Sequence, residues 1–122
     1  MIGYVTIGIR DMEKAKAFWG GLLEPLGASQ VMDIGRMVFF GTGMGQPMLG
    51  VCTPFNEKDP EPGNGNMLAF PAGSREKVDE LYARAIELGG TDEGPPGERM
   101  PGFYGGYFRD PDGNKAVFFQ MG

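Results

Sequence analysis

The sequence contains no histidine. That removes the commonest transition-metal ligand and the commonest general base at neutral pH. It has one cysteine, Cys52, so no intrachain disulfide can form, and a cytoplasmic setting is expected. With no base placed beside it, Cys52 reads as a small buried hydrophobe rather than a nucleophile. Basic residues are outnumbered, 11 against 16 acidic, for a net charge of −5. No basic footprint for nucleic acid is present. No apolar run approaches a membrane span, and the N-terminus lacks a signal-peptide pattern.

What is abundant is glycine, with 22 residues, together with 10 prolines and nine methionines among 122 residues. The glycines and prolines are interleaved with periodic segments, so they read as loops on a globular frame with a 41% hydrophobic content. Met1 to Ile9 alternates as a strand, with Val5, Ile7 and Ile9 on one face and Tyr4, Thr6 and Gly8 on the other. Asp11 is an N-cap, and Ala15, Phe18, Trp19, Leu22 and Leu23 form one helical stripe that Pro25 and Gly27 close. Strands are expected at Ser29–Met32, Arg36–Phe40 and Met48–Thr53, with residues 41–47 as a glycine-rich hairpin loop. Residues 56–65 read as a Pro/Gly-rich linker.

The pattern then restarts. Met67 to Phe70 reads as a strand, Ser74 as an N-cap, and Val78, Leu81, Tyr82, Ala85 and Ile86 repeat the stripe. Positions 15 and 23 recur at 78 and 86, an offset of 63 that also carries Asp11 onto Ser74 and Tyr4 onto Met67. Phe103–Arg109 and Lys115–Gln120 read as a hairpin closed by Asp110-Pro111-Asp112-Gly113-Asn114. The chain is therefore read as one α+β domain, 1–122, of two βαβββ repeats, 1–55 and 66–122.

Three stretches in order carry a resemblance: residues 4–11, residues 63–70 and residues 109–115. With the internal repeat they resemble the vicinal oxygen chelate superfamily, which includes glyoxalases, extradiol dioxygenases and bleomycin-resistance proteins. The resemblance implies two four-stranded sheets curling into an open eight-stranded, barrel-like cleft. It also implies metal ligands on the first and last strand of each half. Those positions fall here on Tyr4, Met67 and Val117, with a fourth near Leu49. Met, Val and Leu are not ligands for a hard or borderline divalent ion, and Tyr4 alone cannot hold one. No metal and no other cofactor are therefore expected, and no catalytic residue is assigned.

The resulting expectation is a metal-independent protein of the glyoxalase/bleomycin-resistance type that sequesters a small organic ligand, cationic or aromatic, in an apolar cleft. Strand alternation places Tyr4, Thr6, Met67, Ala69, Val117 and Phe119 on its floor, with Met48 as an adaptable thioether beside them. Residues 94–106 read as a loop that closes over the ligand, supplying Arg99 and Tyr104, with Tyr107 next to its end. The alternative is a glyoxalase-like lyase, isomerase or dioxygenase using a non-standard site. A symmetric homodimer is expected, because an open barrel leaves strand edges to cover.

Overall fold

The computed structural model describes residues 1–122. The chain forms two compact units, Met1–Pro62 and Gly63–Gly122. In the first, β1 (Tyr4–Gly8) is followed by α1 (Met12–Leu23), a 3-10 turn at Glu24–Leu26, β2 (Ser29–Asp33), β3 (Met37–Gly41) and β4 (Met48–Cys52). In the second, β5 (Leu68–Pro71) is followed by α2 (Arg75–Glu87), β6 (Thr91–Met100), β7 (Phe103–Arg109) and β8 (Lys115–Met121).

Each unit holds one four-stranded mixed sheet, ordered β1-β4-β3-β2 and β5-β8-β7-β6. The first strand pairs parallel with the last in both, and the remaining pairs are antiparallel. The same connectivity twice makes the βαβββ repeat a property of the structure as well as of the sequence.

The helices start where the caps place them. Asp11 Oδ1 accepts from Lys14 N at 3.1 Å, and Ser74 Oγ accepts from Lys77 N at 3.1 Å. Each satisfies one of the otherwise orphaned amides of a first turn. In α1 the whole stripe Ala15, Phe18, Trp19, Leu22 and Leu23 is buried against Val38, Phe40, Leu49 and Val51. In α2 only Val78, Leu81 and Ala85 are buried. Tyr82 turns aside to Asp92, and Ile86 is at the surface.

One sequence expectation gives way. Residues 94–106 are not a loop: they supply most of β6 and the start of β7, paired from Thr91↔Arg109 to Met100↔Phe103. Three register shifts absorb the Gly-Pro-Pro-Gly run. β6 is the edge of its sheet, where proline's missing N–H leaves no ladder bond unmade on the outer side. Residues 56–65 hold no helix or strand, and within them Pro60 is buried and packs on Gly8.

Asp110 builds the last turn. Its Oδ1 accepts from Asp112 N at 3.0 Å and Asn114 N at 2.7 Å, and its Oδ2 accepts from Asn114 Nδ2 at 3.0 Å. This self-satisfied carboxylate, 3% exposed, sets the β7–β8 register that positions the site described next.

Candidate functional site

In each sheet, alternate residues face the helix or point away from it. In the second unit Phe108 and Phe118 stack at 5.4 Å between centroids under α2, and Phe70 joins them at 5.6 Å. Register places Tyr104 on this helix side too, where its Oη donates to Asp79 Oδ1 of α2 at 2.6 Å. That bond, followed by burial, raises the phenol's pKa. Tyr104 therefore does not share a face with Tyr107.

The face turned away from α2 carries Phe103, Gly105, Tyr107 and Arg109 of β7, Lys115, Val117 and Phe119 of β8, and Ala69 of β5. Phe103 and Phe119 stack nearly parallel, 5.6 Å apart at 8°. Two cations lie against the Tyr107 ring, with Arg99 Cζ 5.3 Å and Lys115 Nζ 5.6 Å from its centroid. Arg109 Nε donates to Glu93 Oε1 at 2.9 Å. Of the residues expected here, Arg99, Tyr107, Ala69, Val117 and Phe119 are brought together. Val117 is fully buried and supports the face rather than lining it. Met67 lies just before β5 and is 46% exposed, so it is no dry floor.

In the first unit the face away from α1 carries Tyr4, Thr6, Phe39 and Met48. Tyr4 and Phe39 meet edge to face at 5.1 Å. Leu49 points the other way and is buried in the core. Thr6 pairs with Gly50 as Ala69 pairs with Val117, so Gly50 is the repeat counterpart of Val117. The fourth ligand position implied by the repeat is thus a residue without a side chain, one step from Leu49.

Whether these residues fit a metal is a question of donor chemistry. Tyr4, Gly50, Met67 and Val117 offer one phenol, one thioether and two positions with no donor. No group of three or more His, Cys, Asp or Glu side chains is placed to hold an ion. The residues do not fit the metal the fold implies.

A separate pocket of about 500 Å³ lies beyond β1, its lining including Ile9, Arg10, Arg36, Phe55, Glu57 and Asp59. Arg36 stacks over Phe55 at 5.4 Å and donates to Thr53 O at 2.8 Å. None of the expected site residues reaches it.

Residues 1–118 match the model of the Glyoxalase/Bleomycin resistance protein/Dioxygenase superfamily. The chain belongs to this superfamily. A glyoxalase/bleomycin resistance protein from Albidiferax ferrireducens is 36% identical, with a TM-score of 0.89 over 100% of this chain and 99% of that one. A lactoylglutathione lyase from Agrobacterium tumefaciens is 25% identical, with a TM-score of 0.70 over 98% and 92%. A glyoxalase-related enzyme from Fulvimarina pelagi, 24% identical with a TM-score of 0.81 over 98% and 86%, shares the fold. No curated protein matches the sequence. No helix is long and apolar enough to cross a membrane.

Sequence reasoning missed Phe103 and Lys115 as site residues. Lys115 lies two residues before Val117 and four before Phe119, so strand alternation carried one step back places it on their face. Phe103 lies four residues before Tyr107 in the expected strand Phe103–Arg109, so alternation places it on that face as well.

Proposed function

We propose that this superfamily member is a metal-independent binding protein for a small organic molecule, held on the face of the second sheet around Phe103, Tyr107 and Phe119. The carrying observation is the pairing of two features. The family's ligand positions are Tyr4, Gly50, Met67 and Val117, which make no donor set. The face beside Val117 presents partly exposed aromatic rings and held cations instead. Such a mixture of apolar surface and a few fixed polar groups is the usual character of a small-molecule site. The likeness to a lactoylglutathione lyase supports the rival reading, a lyase, isomerase or dioxygenase. That reading requires a donor set from residues other than these four.

Association of two copies is part of the proposal. β1 is the edge of its sheet and exposes Tyr4 and Val5, the kind of strand that pairs or is covered.

A thermal-shift screen of flat organic molecules, run with and without a chelator, tests the reading. A ligand of the folded state at a hundredfold excess over Kd adds about 2.7 kcal/mol of stability. For a domain of this size that is a rise on the order of 10 °C. The expected result is such a rise, equal in the two conditions. A shift that needs added divalent metal, or turnover in a glyoxalase assay that chelation abolishes, favours the rival.

A further inference from the structure

We infer that the ligand of this face is an organic anion: a carboxylate-type oxyanion gripped by Arg99 and Lys115, with a flat apolar body lying toward Phe103 and Phe119. The inference rests on the preceding proposal that the face binds a small molecule, and it replaces the cationic ligand expected from the sequence.

Three features hold Arg99 in place. Its guanidinium carbon lies 5.3 Å from the Tyr107 ring centroid, a cation–π contact. Its Nη2 donates to the carbonyl of Pro95. It also occupies space that two glycines leave open: a Cβ at Gly94 would lie 3.2 Å from Arg99 Nη2, and one at Gly97 would lie 2.7 Å from Nη1. The Gly-Pro-Pro-Gly run that looked like a loop signal is the cradle of this side chain. A guanidinium carries five N–H donors in a planar fork suited to carboxylates, and one carbonyl does not exhaust them.

Lys115 approaches the same ring from β8, the strand on the other side of β7 from Arg99, so two like charges lie against one aromatic ring. A ring quadrupole attracts each cation but does not cancel their repulsion. Elsewhere in this unit cations meet carboxylates, as in Arg75–Glu98, Lys77–Glu80 and Arg109–Glu93. Arg99 and Lys115 have no such partner. The carboxylate that feels Arg99, Asp92, already accepts from Tyr82 Oη at 2.6 Å and Gly94 N at 2.9 Å. An oxyanion at the edge of Tyr107, between the two cations, relieves the repulsion and takes charge-assisted bonds from both sides.

The apolar part has its own place. Gly105 lies between Tyr107 and Phe103 on β7, and Phe103 leans over it: a Cβ there would be 3.1 Å from the Phe103 ring. The stacked Phe103–Phe119 pair is thereby drawn toward the cations. The groups facing the anion are Arg99, Lys115 and Tyr107, with Arg109 and its partner Glu93 beyond.

The test is a calorimetric or NMR titration of the full chain with three probes of one shape: benzoate, benzamide and benzamidine. Benzoate is expected to bind about tenfold more tightly than benzamide, the effect of one charge-assisted bond, and benzamidine more weakly than either. Arg99→Gln and Lys115→Gln are each expected to remove about that factor for benzoate and leave benzamide unchanged. If Arg99→Gln disturbs the β6–β7 hairpin, Gly97→Ala displaces the guanidinium without deleting its charge, and it is expected to weaken benzoate likewise. Equal binding of benzoate and benzamide, a preference for benzamidine, or a benzoate preference that survives all three variants overturns the inference while the face remains a binding site. Failure of all three probes overturns the inference together with the proposed function.

Discussion

Pro60 occupies the space that a side chain at Gly8 would fill: a Cβ on residue 8 would lie 2.7 Å from Pro60 Cβ. The contact fixes the segment after β4 against the end of β1 and so forms one wall of the pocket lined by Ile9 and Arg36. A proline ring atom cannot swing away as a long side chain can. Gly8→Ala is therefore expected to destabilise the protein by about 1–3 kcal/mol, as overpacking does. Urea denaturation measures it. In a Pro60→Gly background the same substitution is expected to cost less, because the atom it strikes is gone.

The Tyr82–Asp92 bond predicts a pH dependence. Burial first, then the hydrogen bond and the charge of Asp92, push the Tyr82 phenol from 10.0 up to about 12. Its folded pKa is the higher one, so its contribution is fully present below pH 10.0. Between there and about pH 12 the unfolded chain loses the proton while the folded chain keeps it, and stability falls. Asp92 behaves oppositely. The Tyr82 bond and the Gly94 amide lower its pKa, so its contribution is present above the unfolded value of 3.8 and is lost as pH falls below that. Tyr82→Phe is expected to flatten the alkaline limb of a stability–pH curve relative to the parent chain. Tyrosinate absorbance that rises for Tyr82 near pH 10 would contradict the assignment.

Asp110 satisfies three donors in one turn. Asp110→Ala leaves the Asn114 amide and side chain without their acceptor in a nearly closed space. A loss of about 2–4 kcal/mol is expected in chemical denaturation, with a smaller loss for Asp110→Asn, which keeps one acceptor oxygen.

The helices and the repeat were readable because caps and stripes are local signals, and Asp11 and Ser74 act as they spell. The sheet edge was not readable. Nothing in Gly94-Pro95-Pro96-Gly97 tells that its strand has only one neighbour, and that circumstance makes prolines tolerable there. Parity was readable in the expected strand Phe103–Arg109: Tyr104 and Tyr107 are three apart, so that strand already puts them on opposite faces. Parity separates Leu49 from Gly50 in the same way. Depth was a further blind spot: alternation puts Val117 on the right face but cannot show that its neighbours close over it.

The central claim is binding on the second sheet without a metal. The most direct measurement is amide chemical-shift mapping of the chelator-treated chain titrated with a compound that raises its melting temperature. The account predicts saturable shifts centred on Phe103, Tyr107, Lys115 and Phe119, unchanged when divalent metal is restored. Shifts that appear only with metal, or that centre on the Ile9–Arg36–Phe55 pocket instead, would contradict it.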